Sequence, residues 1–318
     1  MSALRIGIVG VGHMGRLHAQ KVAALAAQGD VVLDCVTDLD LARAEEVARA
    51  VGTQVAKDLA ALVSRVDAVI VAVPTVDHFA VVWEAVRAGL DVLVEKPIAA
   101  SIAQGEALLA LGRERGSVIQ VGHLEWFNAA MRRVANEITR PRFIEAHRMG
   151  PFPDRATDVD VVRDLMIHDL DIILRLVGEE PQRVEAIGVP VITEQVDIAN
   201  ARLTFPGGCV ANVTASRVTP TPMRKIRFFQ ADGYFSIDFL AQDVTLAQRG
   251  APDAEGRRPV SLQRLEIDRE DALLGQLRSF QRACTQRHVE AGALNDGLTA
   301  LRLALRIMDA MPSLEALQ

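Results

Sequence analysis

Short runs of Val, Ile and Leu alternate with longer segments of helical periodicity through the first 122 residues or so. The predicted strands are LRIGIVG (4–10), VVLDCVTD (31–38), DAVIVAVP (67–74), DVLVEKP (91–97) and SVIQVG (117–122). Continuous apolar strands separated by helices are typical of a parallel sheet covered by helices on both faces. The sequence therefore predicts a doubly wound α/β domain over residues 1–122.

The pattern of predicted strands and helices changes after Gly122. Seven further strand-like segments follow with few helices between them: RFIEAHRM, QRVEAIGV, VDIANARLTF, CVANVTASRV, RKIRFFQA, YFSIDF and VTLAQ. PGG (206–208) marks one hairpin, and ADGY (231–234) predicts a type I′ turn at Asp232-Gly233. Two helical segments close the chain. We expect residues 123–318 to form an α+β domain with a large, mostly antiparallel open sheet.

The first predicted strand ends in a glycine-rich turn that opens a helix. The turn reads Gly10-Val11-Gly12-His13-Met14-Gly15, a GxGxxG spacing. Alone this spacing is a weak signal, but its position in a βαβ unit is the context of a dinucleotide-binding turn. Gly10 would permit the tight turn and Gly12 the approach of a pyrophosphate. Gly15 would bring helix and strand together, with the phosphates at the positive end of the helix.

The second strand ends at Asp38, roughly 20 residues beyond the glycine turn. A carboxylate there can accept hydrogen bonds from both hydroxyls of the adenosine ribose, and it repels a 2′-phosphate. No arginine directly follows Asp38, so the sequence favours NAD over NADP. A plain turn with a capping aspartate is the alternative interpretation.

Composition and charge exclude several classes of protein. Acidic residues outnumber basic ones, 41 to 35, and no block of like charge indicates a nucleic-acid or membrane surface. Cys35, Cys209 and Cys284 form no CxxC pair, so neither a metal site nor a disulfide framework is expected. With no signal-peptide pattern and no apolar run near the roughly 20 residues that span a bilayer, we expect a cytoplasmic protein.

One apolar helical segment, DLMIHDLDIILRLV (164–177), carries a narrow polar seam. On an α-helical wheel, Asp164, His168, Asp171 and Arg175 lie on one side, whereas most other directions are apolar. Such a seam must pair internally or line a cavity. We expect its first turn to form one wall of an active site, and Asp171 to pair with Arg175 at i, i+4.

The motifs GIVGVGHMGRLHAQ, VAVPTVDHF, EKP (95–97) and DLMIHDLD (164–171), in this order, resemble those of the Gfo/Idh/MocA oxidoreductase family. The resemblance covers nearly all of the chain. It implies a Rossmann domain that binds NAD, then a domain whose open sheet often joins copies into dimers or tetramers. It also implies hydride transfer between a nicotinamide and a carbon that bears a sugar or cyclitol hydroxyl.

Carried over by position, the family's catalytic groups fall on Lys96, Asp164 and His168. The chemistry agrees, since alcohol oxidation needs a base for the hydroxyl proton and a cation beside the developing alkoxide. From the residue types alone, Lys96 could instead be a solvent-facing lysine, and His168 a hydrogen-bonded histidine of the core. The expected cofactor contacts lie in or next to the motifs: Gly10, Val11, Gly12, His13, Met14, Gly15, Asp38, Pro74, Thr75, His78, Glu95, Lys96 and Pro97.

Several segments resemble the branch of the family that oxidises the 3-hydroxyl of UDP-N-acetylglucosamine. GHLEWFNAA (122–130) is similar to that branch's GHIERFNPA, with Trp126 in place of arginine and Ala129 in place of proline. Trp126 would pack on a base or on a helix. The expected substrate contacts are His123, Glu125, Trp126, Arg148, Arg155 and Arg217, with Arg224 a further cation for a diphosphate. His18, His147 and His288 are expected to be structural.

Three functions therefore compete. The first is an NAD-dependent dehydrogenase of a nucleotide-activated hexose. The second is a dehydrogenase of a free sugar or inositol, and the third is a sensor that binds NAD without turnover. Family members of the third kind tend to lose the lysine and histidine that are intact here, so their presence favours an enzyme.

Overall fold

The computed structural model describes residues 3–29, 31–152, 159–256, 258–289 and 292–312. Contacts divide the chain into two compact units, Met1–Leu124 with Ala272–Leu298, and Glu125–Asp271 with Thr299–Gln318. None of the helices formed by these described residues is long and apolar enough to cross a membrane.

The first unit contains a six-stranded parallel sheet in the order β3-β2-β1-β4-β5-β6. Its strands are β1 (Leu4–Val9), β2 (Val31–Thr37), β3 (Gln54–Val55), β4 (Ala68–Val71), β5 (Asp91–Val94) and β6 (Ile119–Val121). Its helices are α1 (His13–Ala26), α2 (Leu41–Val51), α3 (Leu59–Val63), α4 (Thr75–Arg87), α5 (Ile102–Arg115) and α8 (Ala272–Gln286). The predicted doubly wound parallel sheet is confirmed.

Local sequence explains where the helices of this unit begin and end. The side chain of Asp40 caps α2 by accepting the backbone N–H of Arg43 at 3.1 Å, and Ser101 caps α5 in the same way. Gly52 and Gly116 end the two helices in left-handed conformations that favour glycine.

Helix α8 lies far along the chain but belongs to the core of the first unit. Leu277 and Phe280 of α8 share a buried cluster with Ile8 of β1 and Ile70 of β4. The sequence-based partition, 1–122 and 123–318, has a single break, whereas the contacts group Ala272–Leu298 with the first unit. A helical period shows that a helix buries one face, but it does not show which sheet that face covers.

The second unit contains an eight-stranded sheet in the order β14-β13-β12-β11-β7-β10-β9-β8, with all neighbours antiparallel except β7 and β10. Its strands are β7 (Phe143–Met149), β8 (Arg183–Val189), β9 (Ile198–Thr204), β10 (Val210–Ser216), β11 (Met223–Phe229), β12 (Gly233–Asp238), β13 (Asp243–Arg249) and β14 (Val260–Leu265). Its helices are α6 (Ala129–Val134), α7 (Ile167–Val177) and, from Thr299 onward, α9 (Leu294–Asp309). The expected open, mostly antiparallel sheet is confirmed.

Two local features of this sheet differ from expectation. Strand β14 has no sequence signal, because nearly all of its side chains are exposed and no alternation results. The type I′ turn at Asp232-Gly233 is wrong, because neither residue has a positive φ. The Gln230 N–H donates to the carbonyl oxygen of Gly233 at 2.9 Å, so the two-residue loop is Ala231-Asp232, one residue earlier than expected.

Candidate functional site

The glycine turn after β1 is built from contacts that side chains would disrupt. Gly10 has φ +84°, and a Cβ there would lie 2.7 Å from the carbonyl oxygen of Ala72. A Cβ on Gly15 would lie 1.8 Å from the carbonyl oxygen of Gly10, so helix α1 could not approach β1 as it does. At Gly12 a Cβ would meet nothing within 4 Å. The turn thus has the tight bend, the close packing and the open backbone that a pyrophosphate requires.

Helix α1 presents its N-terminus at this turn. Gly12 is the N-cap, and no side chain caps the helix. The first backbone N–H groups and the helix dipole therefore favour an anion there. His13 is exposed and Met14 is partly buried, and the Val11 N–H donates to the side chain of Asp38. These features fit the diphosphate of NAD.

Asp38 lies at the end of β2 with its side chain 10 % exposed. Its Oδ2 accepts the Val11 N–H at 2.7 Å, and its Oδ1 accepts the Asp40 N–H at 2.9 Å. The guanidinium of Arg43 lies 3.6 Å from Asp38 Oδ1 and 3.2 Å from Asp40 Oδ2. A contact between Arg43 and Asp38 was not expected, because Arg43 does not directly follow Asp38 in the sequence. In the fold, the first turn of α2 brings this arginine back to the carboxylate.

Asp38→Asn is expected to weaken NADH binding and to narrow the preference for NADH over NADPH. The amide keeps an acceptor for Val11 but loses the charge that repels a 2′-phosphate, and Arg43 is left less neutralised. Hydrogen bonds to a charged group contribute about 1.5–3 kcal/mol. Fluorescence titration of both dinucleotides measures the change. An unaltered ratio of the two dissociation constants would contradict this role of Asp38.

His78 of α4 is buried and lies between two carbonyl oxygens. Its Nδ1 is 2.8 Å from the oxygen of Pro97, and its Nε2 is 3.0 Å from that of Val73. Burial lowers the pKa of His78, so the ring is neutral and donates to only one of the two oxygens. His78 therefore ties α4, which begins at Thr75 after Pro74, to the Glu95–Pro97 segment.

The Glu95–Pro97 segment follows β5 directly, and its Lys96–Pro97 peptide bond is cis. Glu95 Oε1 lies 2.7 Å from Nε2 of His18, a fully buried residue of α1. Burial alone would raise the pKa of Glu95, but the hydrogen bond with His18 and the charges of His18 and Lys96 hold it below its ordinary value. Glu95 is therefore ionised and held from α1. Lys96 itself is partly buried.

Gly122, after β6, has no side chain and therefore leaves room for the side chain of Glu95. A Cβ on Gly122 would lie 2.9 Å from Glu95 Oε2. The next residue, His123, is 2 % exposed. Its expected role as a substrate contact stays a prediction.

Asp164 and His168 lie on two kinds of helix rather than on the single α-helix that we expected. Asp164 belongs to a π-helical turn, Val162–Met166, and His168 to the first turn of α7. The buried carboxylate of Asp160 starts the turn by accepting the N–H groups of Val162 and Arg163 at 3.0 and 2.9 Å. Such π turns occur often at functional sites. Both Asp164 and His168 are partly buried.

The far end of the polar seam is as expected. Arg175 Nε donates to Asp171 Oδ2 at 3.0 Å, which confirms the i, i+4 pair. The Arg175 guanidinium also lies over the ring of Trp126, 5.3 Å from its centroid. Of the two packing options considered for Trp126, this contact favours packing on a helix.

Glu125, Arg148 and Asp169, the residue directly after His168, form a buried ion cluster. Arg148 of β7 is 2 % exposed and donates to both oxygens of Asp169, at 3.0 and 2.8 Å, and to Glu125. Burial alone would lower the pKa of Arg148, but the two carboxylates more than offset it and raise the pKa. No role was expected for Asp169, although a single acidic residue on an apolar face of the predicted helix was a signal that it is paired.

The other predicted arginines differ in their surroundings. Arg217 is 1 % exposed, and it donates to Asp197 at 2.7 Å, to the Val159 oxygen at 2.7 Å and to Thr193 Oγ1 at 3.1 Å. Arg155 lies outside the described residues. The predictions that Arg148, Arg155 and Arg217 bind substrate stay predictions.

A parallel six-stranded sheet with a glycine turn and a carboxylate after its second strand defines an NAD-binding oxidoreductase domain. Residues 4–123 match the model of the oxidoreductase family with an NAD-binding Rossmann fold, and residues 127–236 match the Gfo/Idh/MocA C-terminal domain. The chain belongs to the Gfo/Idh/MocA oxidoreductase family, and it is an NAD-dependent dehydrogenase.

Two curated relatives and one solved structure illustrate the similarity. The chain is 37 % identical over 317 residues, 99 % of each chain, to UDP-N-acetylglucosamine 3-dehydrogenase of Acidithiobacillus ferrooxidans. A solved structure of that enzyme superposes with a TM-score of 0.91 at 36 % identity, covering 98 % of each chain. Inositol 2-dehydrogenase of Rhizobium meliloti is 27 % identical over 326 residues, covering 95 % of this chain and 94 % of the relative.

Proposed function

We propose that the protein oxidises a secondary hydroxyl of a nucleotide-activated hexose, with the 3-hydroxyl of UDP-N-acetylglucosamine as the preferred target. The observation that carries this proposal is the full-length similarity to a UDP-N-acetylglucosamine 3-dehydrogenase, at 37 % identity. Lys96, Asp164 and His168 are all intact at the positions that the family motifs give them.

In this proposal His168 takes the proton of the reacting hydroxyl, and the ammonium of Lys96 stabilises the developing alkoxide. Asp164, four residues before His168 and within the π-helical turn, orients the histidine or the substrate. The glycine turn, the N-terminus of α1 and Asp38 hold NAD, which when bound supplies the acceptor for the hydride of the carbinol carbon.

A diphosphate needs at least one accessible cation. Arg148 and Arg217 are buried among carboxylates and carbonyl oxygens. The side chain of Arg224, by contrast, is 48 % exposed, and its Nη1 lies 3.8 Å from Oε1 of Glu125. We therefore favour Arg224 over the two buried arginines as the diphosphate ligand.

We also propose that the open sheet of the second unit joins copies into a homodimer or homotetramer. The inward positions of β9 and β10 are buried in the core of the unit, whereas the alternate positions, apart from buried Ser216, are exposed or partly buried. Light scattering of the purified protein measures the number of subunits, and a monomer would contradict this assembly.

With NAD and a panel of alcohols, we expect turnover of UDP-N-acetylglucosamine to exceed that of free N-acetylglucosamine and of inositol. The absorbance of NADH follows the reaction, and mass spectrometry of the product locates the new carbonyl group. Inositol oxidation is the second candidate, favoured by the inositol 2-dehydrogenase relative. Turnover of inositol without turnover of any UDP-sugar would overturn the proposal in favour of this candidate.

A further inference from the structure

Two buried histidines hold the residues on either side of Lys96. His18, 0 % exposed, lies 2.7 Å through Nε2 from the carboxylate of Glu95. His78, 1 % exposed, lies 2.8 Å through Nδ1 from the carbonyl oxygen of Pro97. The backbone of Lys96 is thus fixed by one contact before it and one contact after it.

The two histidines come from the two helices whose N-terminal turns are expected from the sequence to contact the dinucleotide. His18 is on α1, whose first residue lies within the glycine turn, and His78 is on α4, which begins directly after Pro74. Each helix therefore connects a cofactor-binding turn with one neighbour of Lys96.

Packing alone does not explain an imidazole at position 18. Nδ1 of His18 is buried and has no hydrogen-bond partner among the described residues. A buried polar atom without a partner costs about 1–3 kcal/mol, a cost that an apolar side chain of similar size would avoid. What the imidazole adds is its contact with ionised Glu95, and hydrogen bonds to charged groups are the stronger ones.

We propose that His18 and His78 are positioning residues for Lys96. They tie the lysine to the helices that carry the cofactor-binding turns, so that its ammonium is placed relative to the nicotinamide. His18, which was expected from the sequence to be structural, has a functional role in this proposal. The proposal rests on the proposed role of Lys96 in the reaction.

Kinetics of His18→Ala and His18→Gln provide the first test. His18→Ala is expected to lower kcat roughly 10-fold to 100-fold, the scale of a small misplacement of a reacting group, with an unchanged dissociation constant for NADH. His18→Gln should recover part of this loss, because its amide can donate to Glu95. His78→Ala is expected to lower kcat to a similar extent. His288→Ala, an exposed histidine of the same unit, is the matched control.

A second measurement does not depend on the substrate. The chain has four lysines, Lys21, Lys57, Lys96 and Lys225, so NMR of protein labelled with carbon-13 at lysine Cε resolves few signals. The Lys96 signal, identified by its loss in Lys96→Arg, should shift or broaden in His18→Ala, whereas those of Lys57 and Lys225 should not. This result can be obtained even if the wild-type protein turns over no UDP-sugar, which separates the failure of the proposed function from the failure of this inference.

An unchanged Lys96 signal in folded His18→Ala would overturn the inference, whatever happens to kcat. A loss of kcat that His18→Gln does not reduce would also overturn it. If His18→Ala does not fold, Glu95→Gln carries the same measurements. In Glu95→Gln the side-chain volume is kept and the ionised acceptor of His18 is removed, so a shifted Lys96 signal is again expected.

Discussion

His168→Ala is expected to bind NADH as tightly as the unchanged protein and to lose at least about a hundredfold in kcat, the usual scale for a general base. The histidine lies in α7 of the second unit, whereas the glycine turn, Asp38 and α1 belong to the first. Its removal therefore leaves the dinucleotide-binding elements in place. Steady-state kinetics with the preferred alcohol and a fluorescence titration with NADH measure the two quantities separately.

Lys96→Ala is likewise expected to keep the affinity for NADH and to lose at least about a hundredfold in kcat. Lys96→Arg keeps the positive charge but not the compact ammonium, so it should recover little of the lost turnover. His147→Ala is the matched control in the second unit, because His147 is a partly buried histidine of β7 with no proposed role in the reaction. Near-native turnover of His168→Ala or Lys96→Ala would show that the assigned role is wrong.

The dinucleotide-binding half of the fold was predictable because its signals are local. Strands β1, β4 and β5 are continuous apolar runs, and Gly10 and Gly15 occur where only a glycine fits. Such features depend on neighbouring residues in the chain, so their pattern is visible without a structure.

The contacts that hold the candidate catalytic groups were not predictable in this way. His18 and Glu95 are 77 residues apart, and Arg148 and Asp169 are 21 apart on a strand and a helix. The sequence marks Glu95 and Arg148 as expected ligand contacts and His18 as structural, but it does not indicate which of these residues pair with one another. Their roles depend on which elements pack together, and hydrophobic periodicity does not determine that pairing.

The π-helical turn at Asp164 is a related case. An apolar segment with a polar seam predicts a helix, and a helix is present, but its first turn follows a different hydrogen-bond pattern. The wheel that grouped Asp164 with His168 assumed α-helical geometry throughout. The seam is therefore confirmed at Asp171 and Arg175, within α7. Asp164 is positioned instead by the π-helical turn.

The buried ion cluster gives the second large expected effect, on stability. Arg148→Met removes the guanidinium that both Asp169 and Glu125 contact, and Asp169 is then left as a buried carboxylate. Breaking a buried ion pair in this way costs about 3–5 kcal/mol, a large fraction of the stability of an ordinary domain. Urea unfolding, followed by circular dichroism, measures the loss.

The pH dependence of this variant follows from the same burial. Burial already raises the pKa of Asp169 above its ordinary value, against the opposing charge of Arg148, so the loss of Arg148 raises this pKa further in the folded state. The folded state then binds a proton that the unfolded state releases, so stability rises as the pH falls below the raised pKa and is lost as the pH rises through it. The difference between Arg148→Met and the unchanged protein should therefore be smaller at mildly acid pH than at alkaline pH.

The double variant Arg148→Met/Asp169→Leu tests whether the loss comes from the uncompensated charge or from packing. Replacing both partners of a buried ion pair with apolar side chains is often neutral or stabilising, so the double variant should regain most of the stability that Arg148→Met loses. If it is instead as unstable as the single variant, the guanidinium acts through its packing, which includes the ring of Phe239 at 5.6 Å. A regained fold with low kcat would then show that the pair of Arg148 and Asp169, the residue after His168, also supports the reaction.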